Sequence, residues 1–542
     1  MRKLFAFIAS MLITGSLLAG GLVTNNNQSA MFTRLQNRNA STSIDAVYFN
    51  PAGLTRLGNG FFASINNQTI TQTQTIISDY KYLTGTPKEY IGNVKAPIFP
   101  GIYLVYNTGK LSFSAGFNPI GGGGGAEYKT GLPSFEMMIA DIPPSLTAQG
   151  IPTSQYSADI YFKGSSVYFG YQANVGYKIS DKLSVAIGAR FVTASNTYKG
   201  YLKNISINPN YPAFGAYTGG MVLAHNFFSS GQTYLTGVSS QLSATATSLQ
   251  PIISGGGGSV PLANGTAVGL TALQVATLQG TITSLGGNPA GMTIAQSQAF
   301  FTGASATYGG KATVMGANAA GTQDITVDAS QSGTGITPIL SANYSPSDNL
   351  DIAVKYEFKT ELELKTKVAD GQGGGVFTDG TTVIADMPAE LSVGVDFRPV
   401  KKLLLSVSFD EYFDKKVDYD GSTSINIDQI NKNFVQYGLG AEYGVSEKLR
   451  ISAGWSHTET GVNLNYQGDQ SFSTNTNSFG AGFGYRITPM IDLNLAGQYT
   501  FYNNGRKPFN PRLAFDPSVY TETYKKVTWM VAIGLDFYFG KK

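Results

Sequence analysis

From Asp351 to Lys365 the chain keeps one parity: Ile352, Val354, Tyr356, Phe358, Leu362 and Leu364 fall on one side of an extended chain, and Lys355, Glu357, Lys359, Glu361 and Glu363 on the other. A period of two marks a strand with unlike faces. A charge on the apolar side would cost about 2–4 kcal/mol at a bilayer midplane, so the charged side is expected to face a wet lumen. The pattern returns down the chain. Leu403, Leu405, Val407 and Phe409 oppose Ser406, Ser408 and Asp410; Leu449, Ile451, Ala453 and Trp455 oppose Arg450, Ser452 and Ser456. Phe479, Ala481, Phe483 and Tyr485 oppose three glycines and Arg486, and the run Val527 to Phe539 opposes Thr528 and Asp536.

Collecting such runs predicts about fourteen strands, near 59–70, 99–107, 110–119, 165–179, 182–200, 335–346, 349–366, 386–399, 402–416, 433–446, 449–462, 477–488, 491–502 and 526–539. Short polar turns at 107–110, 179–182, 345–349, 398–402, 445–449 and 487–491 alternate with longer connections, as periplasmic turns alternate with extracellular loops in bacterial barrels. The even count places both termini on the periplasmic side. A soluble β-sandwich is the alternative; its strands would run to about five or six residues, and its loops would not divide so regularly. The expected fold is all-β: a 14-stranded antiparallel transmembrane β-barrel, residues 59–542, with a long extracellular loop at 201–334.

Composition fits that expectation. Met1-Arg2-Lys3, an apolar run from Leu4 to Leu18 and Ala19-Gly20-Gly21 read as a signal peptide, residues 1–21. The formal net charge is +3, or +1 once Arg2 and Lys3 leave with the leader, which gives no footprint for nucleic acid. Cysteine is absent, so disulfides, thiolate metal sites and a lipid-modified cysteine are excluded. Only 13% of residues are charged, against 65 Gly, 32 Phe and 31 Tyr, a balance suited to an exported barrel with aromatic girdles. Beyond the leader no run of roughly 18 apolar residues occurs, which argues against helical spans.

Three segments do not alternate. Residues 22–58 carry Asn25-Asn26-Asn27, three arginines and Asn50-Pro51-Ala52-Gly53-Leu54. Such a segment either hangs free or plugs the lumen. Asn bonding to neighbouring backbone, a fixed Pro φ and small Ala and Gly favour a packed hatch. The third strand alternates through Leu111, Phe113, Ala115 and Phe117, then runs through Asn118-Pro119-Ile120 into Gly121 to Gly125. Proline removes a ladder donor and glycines remove packing, so pairing is expected to fail at Phe117, Asn118, Pro119, Gly121, Gly122, Gly123 and Gly124. This is either a gap in the wall or a plain loop above the membrane. The connection 201–334 holds only four charges, Lys203, Lys311, Asp324 and Asp328. Leu270, Leu273, Val275, Leu278, Ile282 and Leu285 recur near helical spacing, with aromatic pairs Phe227-Phe228 and Phe300-Phe301, so an apolar binding surface is expected. The stretch Ser254 to Ser259, with four glycines, reads as a flexible joint; no Lys-Ser or Lys-Thr follows it, so it is no phosphate loop.

The signal peptide, Asn50-Pro51-Ala52-Gly53-Leu54 before the first strand, Phe113-Ser114-Ala115-Gly116-Phe117 leading into Gly125-Ala126-Glu127-Tyr128, and Met387-Pro388-Ala389 opening the eighth strand together resemble the FadL family. These are outer-membrane transporters of long-chain fatty acids and other hydrophobic molecules, and the resemblance spans most of residues 22–539. It implies fourteen strands, an N-terminal hatch over 22–58 and a passive route. Ligand lands in an apolar groove of the extracellular loops, here Leu270, Leu273, Leu278, Phe300 and Phe301. It then moves to a tighter pocket, rearranges the hatch and leaves sideways at a kink in the third strand. By position the hatch motif is Asn50, Pro51 and Ala52, and the kink lies near Phe117 to Gly124. The long loop after the fifth strand, the plain run of glycines and Gly540-Lys541-Lys542 beyond Phe539 depart from the family pattern.

Arg190, Lys355, Lys359, Arg450 and Arg486 are expected to face inward, either to hold a carboxylate head or to pair with Glu357, Glu361, Asp396 and Asp410. The partners implied are a hydrophobic small molecule and outer-membrane lipid of Gram-negative type, with no nucleic acid, cofactor or metal, and a monomer. Three rivals stand beside transport. A general porin needs an unplugged polar lumen. An adhesin or antigen would use the long loop. A hydrolase would need His225 or His457, neither placed beside an evident nucleophile and acid, so no catalytic residue is expected.

Overall fold

The computed structural model describes residues 29–417 and 427–540. The expected leader, 1–21, and the start of the expected hatch, 22–28, lie outside them. Fourteen strands form a closed antiparallel barrel. They are β1 (Gly60–Ser78), β2 (Lys88–Thr108), β3 (Leu111–Tyr128), β4 (Tyr156–Lys178), β5 (Leu183–Ile207) and β6 (Ile325–Ser347). β7 runs over Leu350–Glu357 and resumes at Glu363–Gly373, and β8 runs over Thr382–Ile384 and resumes at Glu390–Val400. β9 (Leu403–Tyr412), β10 (Phe434–Gly444), β11 (Leu449–Glu459), β12 (Thr476–Thr488), β13 (Ile491–Tyr502) and β14 (Tyr520–Tyr538) complete the wall. β14 pairs with β1 from Phe62↔Tyr538 to Ser78↔Glu522, so neither strand is left as an edge.

Each of the fourteen strands expected from alternation has its counterpart, and the six short turns join β2 to β3, β4 to β5, β6 to β7, β8 to β9, β10 to β11 and β12 to β13. All lie at the end where β1 begins and β14 finishes. The outward belt is apolar, with Ile65, Ile187, Ile336, Val407, Val531 and Ile533 exposed, while Ser64, Ser406, Ser408, Ser452 and Asp536 are buried on the inner face. Crossing a bilayer takes about 9–11 tilted residues; β5, at 25 residues, runs far beyond that. The excess is what alternation missed. In Thr71-Gln72-Thr73-Gln74-Thr75 of β1 both faces carry polar side chains and all five residues are half-buried, so the contrast between the faces fades.

The even parity of Asp351 to Lys365 does not survive folding. Asp351, Ala353, Lys355 and Glu357 point inward as expected, but after the interruption at 358–362 the inward set becomes Thr360, Leu362, Leu364 and Thr366. One added residue turns every later side chain to the other face. Leu362 and Leu364, expected toward lipid, are therefore buried in the luminal core, and Glu361, Glu363 and Lys365 are exposed.

The connection expected as a long loop is α-helical, and the all-β expectation does not extend to it. With residues 138–159, residues 203–324 form a separate compact unit. Its frame is an antiparallel pair, α3 (Ala224–Ser248) and α5 (Ile294–Gly321), with α4 (Ala272–Ser284) between them in sequence. Ser239 and Ser305 exchange hydroxyl-to-carbonyl bonds of 2.9 Å across the pair. Thr271 with Gln274 and Thr293 with Gln296 close capping boxes on α4 and α5. Leu242, Leu262, Leu278, Ile282, Ile294 and Phe301 make its core, with Leu270 and Phe300 packed against it. Of the residues expected to line an apolar groove, Leu278 and Phe301 are part of this core, Leu270 and Phe300 pack against it, and Leu273 is 78% exposed. The glycine run does not form a free joint either; Gly257 is buried, and a Cβ there would meet Ile252 at 2.8 Å.

Candidate functional site

Residues 29–58 are the hatch. They fold as α1 (Ala30–Leu35), α2 (Ala46–Phe49) and a 3₁₀ turn (Pro51–Arg56), almost wholly buried. Their bonds reach around the wall: Ala30 N to Asn66 of β1, Arg34 to Ser452 of β11 and Asn494 of β13, Asn39 to Asp410 of β9, and the carbonyl of Val47 to Gln172 and Asn174 of β4. Arg34 also pairs with Glu442. The wall makes room with glycine. Cβ atoms at Gly454 and Gly480 would sit 1.9 Å from Leu35 O and 2.0 Å from Thr33 O, so the inward glycines that alternate with aromatics are a docking surface for hatch backbone.

The Asn50-Pro51-Ala52 motif is a tie between hatch and wall. Asn50 Oδ1 accepts from Gly53 N and caps the 3₁₀ turn, while its Nδ2 donates to Ser41 O at 3.0 Å and Asn343 Oδ1 at 2.8 Å. Pro51 begins the turn, where its missing N–H costs nothing. Ala52 donates its N–H to Ser341 Oγ at 3.1 Å and accepts from Ser184 Oγ at 2.8 Å. A second knot lies inside the hatch, where Arg38 donates from Nε and Nη2 to Asp45 at 2.8 Å each and Ser29 and Ser41 add hydroxyl bonds. Burial alone would raise the Asp45 carboxyl; the guanidinium and the two hydroxyls outweigh it and hold it below its ordinary value.

A cavity of about 20 Å³, room for about one water, lies against the hatch, lined by Tyr48, Ile120, Arg190, Thr337, Glu357, Thr360, Met387, Pro388, Glu390 and Tyr412. Three features expected separately from the sequence meet there: the hatch, the third strand beyond Asn118, and Met387-Pro388. Tyr48 lies between two cations, 4.7 Å from the Arg190 guanidinium carbon and 4.9 Å from Lys355 Nζ. Burial pushes its phenol above the ordinary range. Phe32, Ile44, Val47, Phe49 and Leu54 of the hatch join Tyr103, Ile120, Tyr168, Leu362 and Leu364 of the wall in one apolar core.

The candidate cations are already matched by carboxylates. Arg190 binds Glu357 through two bonds of 2.6 and 2.7 Å, and Lys355 lies 2.7 Å from Glu357 and 3.7 Å from Glu390. Arg450 and Arg486 share Asp492 at 3.1 and 2.9 Å. Lys359 falls in the interruption of β7 and pairs with Asp386 at 2.9 Å. Of the expected partners, Glu357 and Glu361 serve, but Asp396 takes a bond from Ser406 and Asp410 one from Asn39.

At the kink, the β2–β3 register jumps from Val94↔Ala126 to Ile102↔Phe117. Against β4 the strand stays paired but bulges at Pro119, Gly121 and Gly124. Gly122 has φ +78°, and a Cβ there would lie 2.0 Å from Ser166 O of β4, so only glycine fits. Ile120 turns inward to the cavity, and Ile98 opposite is 75% exposed. Alternation alone does not mark Pro97 and Pro100 on β2. With Pro119 they put three residues without an N–H on the two strands whose pairing lapses, a signal visible in the sequence. Tyr48 and Glu390 were also missed, and neither carries a local signature.

No protein-family model and no curated protein matches the chain. Among solved structures, a FadL homologue of Pseudomonas aeruginosa is 13% identical, covers 96% of this chain and 99% of its own, and superposes with a TM-score of 0.54. At that identity the likeness establishes the fold: this is a FadL-type barrel. The toluene transporters TodX of Pseudomonas putida (13% identical, covering 92% of this chain and 95% of that one, TM-score 0.49) and TbuX of Ralstonia pickettii (15%, 95% and 100%, 0.48) also align, at scores that carry no argument.

Proposed function

We propose that the protein sits in the outer membrane and takes up long-chain fatty acids or similar hydrophobic molecules by passive passage, with exit through the wall between β2 and β3. The observation that carries this reading is the loss of β2–β3 register where Ile120 turns into a cavity that the hatch closes from the other side. A ligand that displaces Tyr48 or Ile120 would stand between hatch and wall, beside a strand junction with few ladder bonds. An apolar tail gains about 0.8 kcal/mol for each buried methylene, enough to draw it from dilute solution into an apolar lumen and on into lipid without an energy source. The polar open bore of a general porin is a poor fit to a lumen filled by apolar hatch residues. Neither histidine suggests catalysis: His457 bonds Asn477 at 3.1 Å beside Trp455, and His225 lies in the helical unit.

The test removes the bulge. From Asn118 to Gly125 β3 uses eight residues against six on β4, Ser165 to Gly170. Deleting Gly122 and Gly123 equalises them. Uptake of labelled oleate by cells whose only such channel is this protein should fall to background while the variant still assembles as a heat-modifiable barrel. Undiminished uptake by an assembled variant would refute sideways exit.

A further inference from the structure

Lys526 lies on the inner face of β14, in phase with the buried Tyr524, Thr528 and Met530. Met530 Sδ accepts from Thr33 of the hatch at 3.8 Å. At roughly 3.3 Å per residue, Lys526 stands about 13 Å further along the strand, toward the end remote from the short turns. Its surroundings differ from those of Arg190 and Lys355, whose charges Glu357 and Glu390 offset. Lys526 forms no ion pair within 4.0 Å among the described residues. Its Nζ donates to Phe472 O at 3.3 Å and lies 4.6 Å from the Phe472 ring and 5.6 Å from the Tyr502 ring. Phe472 in turn packs 5.1 Å from Tyr524. The nearest acid along this face, Glu522, is engaged by the Tyr524 hydroxyl at 2.5 Å.

An ammonium with no carboxylate paired to it among the described residues, walled by aromatic rings, joins a charge to apolar surface. That is the chemistry of an anionic amphiphile: a carboxylate on the ammonium and an alkyl tail along the rings. We propose that Lys526, with Phe472, Tyr502 and Tyr524, is a binding site for the carboxylate head of such a ligand above the hatch. The site selects long-chain acids over neutral molecules with the same tail. This deepens the uptake reading and rests on it.

The test compares oleate with oleyl alcohol, which differ only at the head, in cells carrying the full chain as their only such channel. For Lys526→Met the ratio of oleate to oleyl alcohol uptake should fall by about tenfold or more, the loss of one charge-assisted bond. Lys526→Arg should restore most of it. Heat modifiability and surface abundance confirm that each variant assembles. An unchanged ratio overturns the proposal, as does an equal loss for both ligands, which would make Lys526 a tether for Phe472 only. If the wild-type protein admits neither ligand, the uptake reading fails first and the site falls with it.

Discussion

Between β2 and β3 the register skips from Val94 to Ile102, and between β6 and β7 it skips from Ser332 to Ile339, yet the two interruptions are built differently. At the first, prolines at 97, 100 and 119 withhold donors and the surplus of β3 is taken up against β4. At the second, the strands remain in close contact. Cβ atoms at Gly333 and Gly335 would lie 2.1 Å from Glu363 O and 2.5 Å from Glu361 O, Phe358 N donates to Pro338 O at 3.0 Å, and the Thr337 and Thr360 hydroxyls bond each other. A lost ladder is therefore not by itself an opening; what fills the space decides. The first interruption carries its surplus residues as bulges against β4, whereas the second is sealed by backbone against backbone.

Both interruptions adjoin the hatch, so the largest effect is expected from breaking its internal knot. Asp45→Ala strands Arg38 without its carboxylate in a buried place, at about 3–5 kcal/mol. Planar bilayers should then show ion conductance that wild-type barrels lack; an equally quiet variant would mean that Arg38–Asp45 does not hold the hatch. The same pair sets a pH limit. Because the folded-state pKa of Asp45 is lowered, its contribution is complete above the unfolded value of about 3.9 and is lost as pH falls through the folded value. Wild-type conductance should stay low from neutral pH to about 4 and rise only below it.

A smaller effect sharpens the contrast within the wall. Gly335→Leu drives a side chain into the Glu361 carbonyl and should cost about 1–3 kcal/mol, seen as a lower unfolding temperature of the folded band on gels, with no gain in uptake. A stable variant with raised uptake would mean that the second interruption also passes ligand.

Much of this was legible in the residues. Alternation gave the strands because a wall between lipid and a packed lumen imposes opposite demands on neighbouring side chains, and Asn50-Pro51-Ala52 announced the hatch because its three residues each answer a separate backbone need. The phase change after Glu357 was not legible, since the apolar Leu362 and Leu364 suit either lipid or an apolar lumen and nothing nearby marks the added residue. The helical unit was legible only in part: the spacing from Leu270 to Leu285 matches the helix Ala272–Ser284, but the two long helices around it were not foreseen. Its few charges resembled a binding surface, although the capping pairs Thr271/Gln274 and Thr293/Gln296 were there to be read. Which cation lacks an acid depends on pairings between distant strands, as with Arg190 and Glu357, and no local pattern encodes them.

Ligand is proposed to leave between β2 and β3. A fatty acid carrying a photoreactive group at its tail, irradiated during uptake and followed by mass spectrometry of the protein, tests it most directly. Adducts should concentrate on Ile98, Phe99 and Ile120. Adducts confined to Ile336 and Phe358 at the sealed interruption, or to the periplasmic end of the hatch, would contradict it.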